Sequence, residues 1–466
     1  MRFVRTEDHT VEPMVAILYS FRCEKFHIKV RKIRGENLNG KKIKSVINCL
    51  PKNIHTAKDY LMSDAIYLHH KCHKSSSSTS ASGSTLPRVA SSQPQFGGGL
   101  SELIRKLVTS QKVVETYRRR MEETKLLGKE ERADFDALFP VLVDDLTGSK
   151  ELQDMPETNR WMRKVLEYNV PFGKQNRGLS LALAYRYLAK DLSRDNIQLS
   201  YVLGWCVEFL QAFFLVADDI MDSSETRRGR LCWYKVDGLG ATAFNDAVLL
   251  EASVYPILKK YFREKEYYAD LLDIFHEATF KTSYGQSLDT RTGLEKRLET
   301  YTVDRYAAIV KYKTSYYSFY LPVSLAMAMA GVRDNKTKEQ ARTLLLEMGH
   351  FFQVQDDYLD CFGDTDITGK IGTDIADCKC SWLVVAALQK ANPAQRHIIM
   401  ENYGQNDPEK IEIIKHLYMD MGIPELYLDF EEQTYSTINK HIEQMSPSLP
   451  KRLFRDMIDK LYRRSS

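Results

Sequence analysis

The stretch "VADDIMD", Val216 to Asp222, places three aspartates within five positions. On a helix Asp218 and Asp222 lie one above the other on the same face, with Asp219 beside them. Like charges at that spacing destabilise a helix unless a cation bridges them. A hard divalent ion such as Mg2+ does so, taking oxygen from one or two carboxylates and completing its shell with water and phosphate oxygens. A single acidic cluster reads equally well as the solvated end of a helix. A second cluster decides between the two: "FFQVQDDYLDCFGD", Phe351 to Asp364, again closes an apolar run with Asp356, Asp357 and Asp360 at the same spacing. Two such helix ends facing each other across a bundle make a box for a polyphosphate and several Mg2+ ions.

A box of that kind needs cations in its walls. "GKQNRG" supplies Lys174 and Arg177, "TRRG" supplies Arg227 and Arg228, "KYKTS" supplies Lys313 and Thr314, and "TGKIGTDIADCK" supplies Lys370 and Lys379. Arginine forks and lysine point charges both suit phosphate oxygens, and neighbouring glycines let backbone approach a ligand. Taken singly, each of these is as readily a surface charge.

Together "GKQNRG", "DDIMDSSETRRG", "GQSLD", "KYKTSYYSFYLP", "FFQVQDDYLD" and "TGKIGTDIADCKCSW" resemble the trans-isoprenyl diphosphate synthases. The nearest branch is the farnesyl-forming one of animals and fungi, and the likeness runs over roughly residues 130 to 466. It implies an all-α prenyltransferase of isoprene and lipid metabolism, working as a homodimer. The implied reaction joins isopentenyl diphosphate head to tail with dimethylallyl and geranyl diphosphate, giving farnesyl diphosphate. The resemblance also implies Asp218, Asp222 and Asp356 as Mg2+ ligands, supported by Asp219, Asp357 and Asp360, around three ions for which Mn2+ can substitute. Arg227, Lys313, Thr314, Gln353, Lys370 and Lys379 match residues that hold the allylic diphosphate. Lys174, Arg177, Gln211 and Arg228 match those that hold isopentenyl diphosphate. The basic end "YRRSS" is similar to a tail that closes over that second site, which adds Arg463 and Arg464.

On this reading Asp218, Asp222, Lys313, Asp356 and Lys370 carry the catalysis. Metal and cationic side chains stabilise a departing diphosphate, and an allylic carbocation forms in an apolar, water-poor cavity. The isopentenyl double bond attacks it, and a proton leaves with the released diphosphate. No protein nucleophile is required, and no convincing Ser/His/Asp or Cys/His set is visible.

Phe213 and Phe214 precede Asp218 by five and four residues, about one helical turn below the metals. They resemble the family's floor for a fifteen-carbon product, although by type alone they are ordinary core residues. Two positions depart from the family pattern. Phe172 replaces a glycine ahead of Lys174 and is expected to narrow the isopentenyl site. Glu225 replaces an apolar residue and is expected to bring negative charge near Arg227 and to fill part of the allylic pocket. A geranyl-forming enzyme is therefore one alternative. A non-catalytic subunit of a prenyltransferase heteromer is a more distant one, opposed by the intact aspartates and lysines. A terpene cyclase would leave the second aspartate cluster unexplained.

The elements that position these residues read as helices. Of 466 residues 43% are hydrophobic and 27% charged, a globular balance, while 23 glycines and 14 prolines are few for this length. Apolar residues recur at i, i+3, i+4 over about 133–146, 152–168, 179–191, 197–221, 245–262, 266–290, 300–331, 336–362, 381–391 and 407–444, and no hairpin pattern of strands stands out. The expected fold is an isoprenoid-synthase-like bundle of about ten helices around a central cavity, over residues 101–466. A further helical run starts at Leu103, and Met121 is an alternative start.

Residues 1–100 read as a disordered extension and linker, with 16 Lys/Arg against 7 Asp/Glu and a Ser-rich run at 74–99. The rest carries 50 against 55, so a nucleic-acid partner is not expected. "HHKCH" at 69–73 lacks a second ligand pair for a metal, and no pair of cysteines has CxxC spacing, which suits a reducing compartment. The longest apolar run, Tyr201 to Ala217, holds Glu208 and Gln211 and reads as a core helix, so no transmembrane segment is expected. The extension partly resembles a mitochondrial transit peptide, but Glu7, Asp8 and Glu12 sit where such peptides avoid acids. The expectation is cytoplasmic, with the mitochondrion as the alternative.

Overall fold

The computed structural model describes residues 128–363 and 372–462. The extension over 1–100, the helical run from Leu103 to residue 127, Met121, Lys370, Arg463 and Arg464 lie outside the described residues.

Helix follows helix. The first four are α1 (Lys129–Thr147), α2 (Pro156–Asn169), α3 (Asn176–Leu188) and α4 (Arg194–Met221). A short antiparallel ribbon intervenes, β1 (Thr226–Arg227) with β2 (Arg230–Leu231), before α5 (Ala243–Ala252), α6 (Val254–Phe262) and α7 (Tyr268–Glu295). Next comes a continuous rod made of α8 (Val303–Ile309), a π-helical stretch (Val310–Tyr320) and α9 (Leu321–Met329). The remaining helices are α10 (Asn335–Phe362), α11 (Trp382–Lys390), α12 (Pro393–Asn402), α13 (Pro408–Asp420), α14 (Ile423–Glu443) and α15 (Lys451–Tyr462).

α4 is apolar all round because it is buried all round. It packs against α3, α5 and α9, and nearly every residue from Ser200 to Ala212 is shielded from solvent. By length and composition it would pass for a membrane span, yet most of its apolar window lies inside the fold. α10 starts at Asp334, whose carboxylate accepts from the Thr337 amide at 2.7 Å, and runs beside the π-helical stretch. A second apolar cluster, built on Leu383, Val384, Tyr418 and Tyr427, supports the far side of α10.

The helical reading holds, with boundaries moved where local chemistry is stronger than periodicity. The 407–444 segment divides at Gly422, which takes a positive φ of 68°, with Pro424 opening the next helix. The 245–262 segment breaks at Ser253. α12 and α15 were not anticipated. The capping box of Asn392 and Gln395 around Pro393 announces α12, and the amphipathic pattern after Pro450 announces α15. The ribbon was also missed. Its two-residue turn, Arg228–Gly229, has both residues at positive φ, the geometry that matches the twist of a tight hairpin.

Candidate active site

A cavity of about 1950 Å³ opens between α3, α4, α7, the π-helical stretch and α10. Both aspartate clusters line it: Asp218 and Asp222 from the end of α4, and Asp356, Asp357 and Asp360 from the end of α10. The expected facing of two acidic helix ends is thus present in the fold.

Glycines set the spacing of the walls. A Cβ on Gly285 of α7 would fall 2.6 Å from the Cα of Lys313, and one on Gly349 of α10 would fall 2.6 Å from the Cα of Ser315. The π-helical stretch is therefore gripped from both sides at backbone contact. Such wide turns recur at functional positions, and this one carries Lys313 and Thr314.

Lys313 Nζ lies 2.6 Å from Asp289 Oδ2 and 3.4 Å from Asp218 Oδ1. Lys379 Nζ lies 2.9 Å from both oxygens of Asp222 and 3.4 Å from Asp289 Oδ2. Arg227 donates to Asp219 Oδ1 from Nε at 2.9 Å and from Nη2 at 2.5 Å, and also pairs with Asp218 at 3.5 Å. Gln286 Nε2 donates to Asp218 at 3.0 Å. Burial works against the Lys313 charge, but Asp218, Asp289 and Asp222 hold its pKa well above the ordinary value. Burial likewise raises Asp218 and Asp289, and the lysines beside them outweigh it, so both stay below the usual carboxylate value.

Asp357 is arranged differently. Its carboxylate accepts from Tyr306 Oη at 2.8 Å, Gln353 Nε2 at 2.8 Å and the Trp382 amide at 2.7 Å. Burial pushes its pKa up to about 7 despite those donors. Gln353 in turn accepts from Thr314 Oγ1 at 2.7 Å, so Thr314, Gln353 and Asp357 form one chain. Asp360 accepts from the Asp374 amide at 3.0 Å, docking the segment that carries Lys379.

A second group of cations also lines the cavity. Arg177 donates to Ser318 Oγ at 2.8 Å and stacks 4.7 Å from the centre of the Tyr317 ring. Arg228 donates to the Asn169 carbonyl at 3.4 Å. Lys174 is exposed at the rim. Beneath them Glu208 is buried and accepts from the Gly178 amide at 2.8 Å, at the start of α3. Burial raises its pKa, while Arg177 and Arg228 counter the rise. Gln211 is also buried and lines the cavity, and its Oε1 has no hydrogen-bond partner among the described residues. Phe213 and Phe214 also line the cavity, their rings 4.9 Å apart, with Phe214 5.2 Å from Tyr317.

Two expectations about departures from the family pattern are corrected. Glu225 pairs with Lys235 rather than with Arg227, while it still lines the edge of the cavity. Phe172 does not narrow the cavity; it is half-exposed and stacks on Arg230 outside it. Two residues of the site, Asp289 and Gln286, were given no role from sequence. Both lie in "GQSLD", and the signal was a polar pair one turn apart next to the Gly285 contact.

Comparison with known proteins agrees with this geometry. The family model for polyprenyl synthetase matches residues 159–421. The chain is 48% identical over 342 residues to the farnesyl pyrophosphate synthase of Gallus gallus, covering 72% of this chain and 92% of that one. It is 49% identical over 343 residues to the Bos taurus farnesyl pyrophosphate synthase, covering 72% and 96%, and 44% identical over 347 residues to the farnesyl diphosphate synthase of Dictyostelium discoideum, covering 72% and 91%. Among solved structures, the T. brucei farnesyl diphosphate synthase complexed with minodronate superposes with a TM-score of 0.69 at 31% identity, covering 72% of this chain and 100% of that one. The chain belongs to the polyprenyl synthetase family.

Proposed function

We propose that this chain is a divalent-metal-dependent prenyltransferase that condenses isopentenyl diphosphate with dimethylallyl and then geranyl diphosphate to give farnesyl diphosphate. The observation that carries the reading is one cavity lined by two aspartate-bearing helix ends, with Lys313 and Lys379 on Asp218 and Asp222 and two phenylalanines of α4 in its wall. High identity to farnesyl pyrophosphate synthases over nearly their whole length supports the same product.

The donor set suits Mg2+: every acidic wall residue offers oxygen, and Asp218, Asp222 and Asp356 are the foremost candidates. Among the described residues no three carboxylates stand together as a ready cage, so a bound ion would need oxygen from the substrate or water besides these aspartates. Three ions shared between the two clusters would be balanced by one diphosphate together with the wall carboxylates. Bound there, the metal neutralises the diphosphate as it departs.

The side chains supply the rest. Arg227, Lys313 and Lys379 hold the allylic diphosphate and take up charge as its C–O bond breaks. Thr314, whose hydroxyl bonds Gln353, stands with it among the groups that hold the same diphosphate. Lys174, Arg177, Gln211 and Arg228 hold isopentenyl diphosphate so that its double bond faces that carbon. The apolar wall excludes water until the new C–C bond has formed and the proton has passed to the released diphosphate. Phe213 and Phe214 then stop the chain at fifteen carbons.

A homodimer is supported by apolar side chains left on outer helix faces, Phe244 and Val248 on α5 and Phe280 and Tyr284 on α7, exposed by 63%, 42%, 62% and 66%. Cysteines 206, 232, 361, 378 and 380 are buried and free, which supports a cytoplasmic setting. The test is product analysis of the purified chain with isopentenyl diphosphate, each allylic partner and Mg2+. Farnesyl diphosphate as the end product is expected. Geranyl diphosphate alone would support the shorter-chain alternative, and no turnover would support the non-catalytic one.

A further inference from the structure

Arg230 is held between two rings outside the cavity. Its guanidinium carbon lies 3.8 Å from the centre of the Tyr168 ring and 4.2 Å from that of Phe172, and Nη1 donates to the Tyr168 carbonyl at 3.4 Å. Tyr168 ends α2, Phe172 stands in the loop that leads to Lys174 and Arg177, and Arg230 begins β2. The stack therefore joins the loop that bears Lys174 and leads into α3 with Arg177 to the ribbon bearing Arg227 and Arg228. Tyr168 Oη adds a bond to the Leu231 carbonyl at 2.9 Å.

The two arginines of the ribbon differ in how they are anchored. Arg227 is fixed by two bonds to Asp219 on α4. Arg228 has a single bond, 3.4 Å long, to the Asn169 carbonyl, and its guanidinium lies over Gly173, where a Cβ would fall 2.7 Å from Cζ. The placement of Arg228 thus depends on where the 170–174 loop sits, and the placement of Arg227 does not. Phe172 stands where the family pattern has glycine, so the loop gains a ring that the ribbon can grip.

Resting on the reading of this cavity as a two-substrate site, we infer that Phe172 and Arg230 are positioning residues for isopentenyl diphosphate. Their cation–π stack clamps the Lys174 loop to the ribbon and so sets Lys174, Arg177 and Arg228 against the second diphosphate. Neither residue touches substrate. A lysine at 230 keeps the charge but loses the flat face that fills the gap between the rings.

The experiment is a double-mutant cycle with Phe172→Gly, Arg230→Ala and the pair, reading KM for each substrate and thermal unfolding. Each single variant is expected to raise KM for isopentenyl diphosphate by roughly twofold to fivefold, the ratio an exposed cation–π pair is worth. KM for the allylic partner should stay within error, and the double variant should match the singles rather than multiply them. Phe172→Tyr should restore the wild-type value, and Phe172→Leu should not. Additive effects, equal shifts in both KM values, or no shift would overturn the clamp. The unfolding cycle needs no turnover, so a coupled Tm shift without catalysis would sink the enzyme reading while retaining the clamp, and an uncoupled one with normal catalysis would do the reverse.

Discussion

Asp289 Oδ2 lies 2.6 Å from Lys313 Nζ, and the helices that carry them are in backbone contact through Gly285, one turn before Asp289. The carboxylate also reaches Lys379 at 3.4 Å, so one buried acid sets two of the cations assigned to the allylic diphosphate. Removing its charge leaves both lysines to repel each other in a poorly solvated place. Asp289→Asn is expected to lower kcat/KM for the allylic substrate by a hundredfold or so, in line with the about 2–5 kcal/mol lost when one partner of a buried charge pair is removed. Steady-state kinetics with each substrate varied in turn would check it.

Gly285→Ala tests the contact itself. A methyl group there meets the backbone of Lys313, which cannot swing aside as a long side chain would. Overpacking of this kind costs about 1–3 kcal/mol. A lower Tm together with a fall in kcat is expected; a variant as stable and active as the parent would show that the π-helical stretch yields freely.

Asp222 and Asp357 should respond differently to the same change. Asp222 faces the cavity and is paired only with Lys379 in the bonds described above, whereas both Asp357 oxygens accept bonds from Tyr306, Gln353 and Trp382. Asp222→Asn is expected to raise the Mg2+ concentration needed for half-maximal activity. Asp357→Asn is expected to lower Tm with little change in that concentration. Chelation should abolish turnover in both, and Mg2+ titration would separate them.

Replacing the ring nearest the growing chain should lengthen the product. Phe213→Ala and Phe214→Ala each open the cavity along α4, and chromatography of the dephosphorylated products should show chains of twenty carbons or more. Unchanged fifteen-carbon product in both variants would move the floor elsewhere, with Tyr317 the next ring in contact.

His350 on α10 stacks edge-on to Tyr306, 5.6 Å between ring centres, and burial lowers its pKa below the usual 6.5. The unfolded chain then binds a proton that the folded one resists, so stability rises with pH across that window and falls as the solution is acidified below about 6.5. His350→Gln should flatten this part of the Tm-against-pH curve. An unchanged slope would assign the dependence to another group.

The helical class, the paired aspartate clusters and the identity of most wall residues were legible in the sequence. A helix repeats its apolar stripe every three to four residues, and carboxylates four apart share a face, so both signals are local. Lys313 and Thr314 were legible only as one candidate pair among several, and Gln353 only through the resemblance, since one lysine or glutamine looks like any other. Glu225 and Phe172 were misplaced, because a two-residue turn at Arg228–Gly229 decides which way their neighbours point, and its positive φ angles leave little trace in composition.

By itself, then, the sequence determined the helical class, most of the helices and which of their ends carry paired aspartates, because those depend on residues close together along the chain. The tertiary structure alone decided that Asp289 stands between Lys313 and Lys379, that Asp357 is occupied by protein donors, and that Phe172 meets Arg230. Each of these joins residues from 24 to 90 positions apart or sets them by packing, such as Lys313 with Asp289 and Lys379 with Asp289. Such pairings are fixed by glycine contacts and helix crossings that no local pattern encodes.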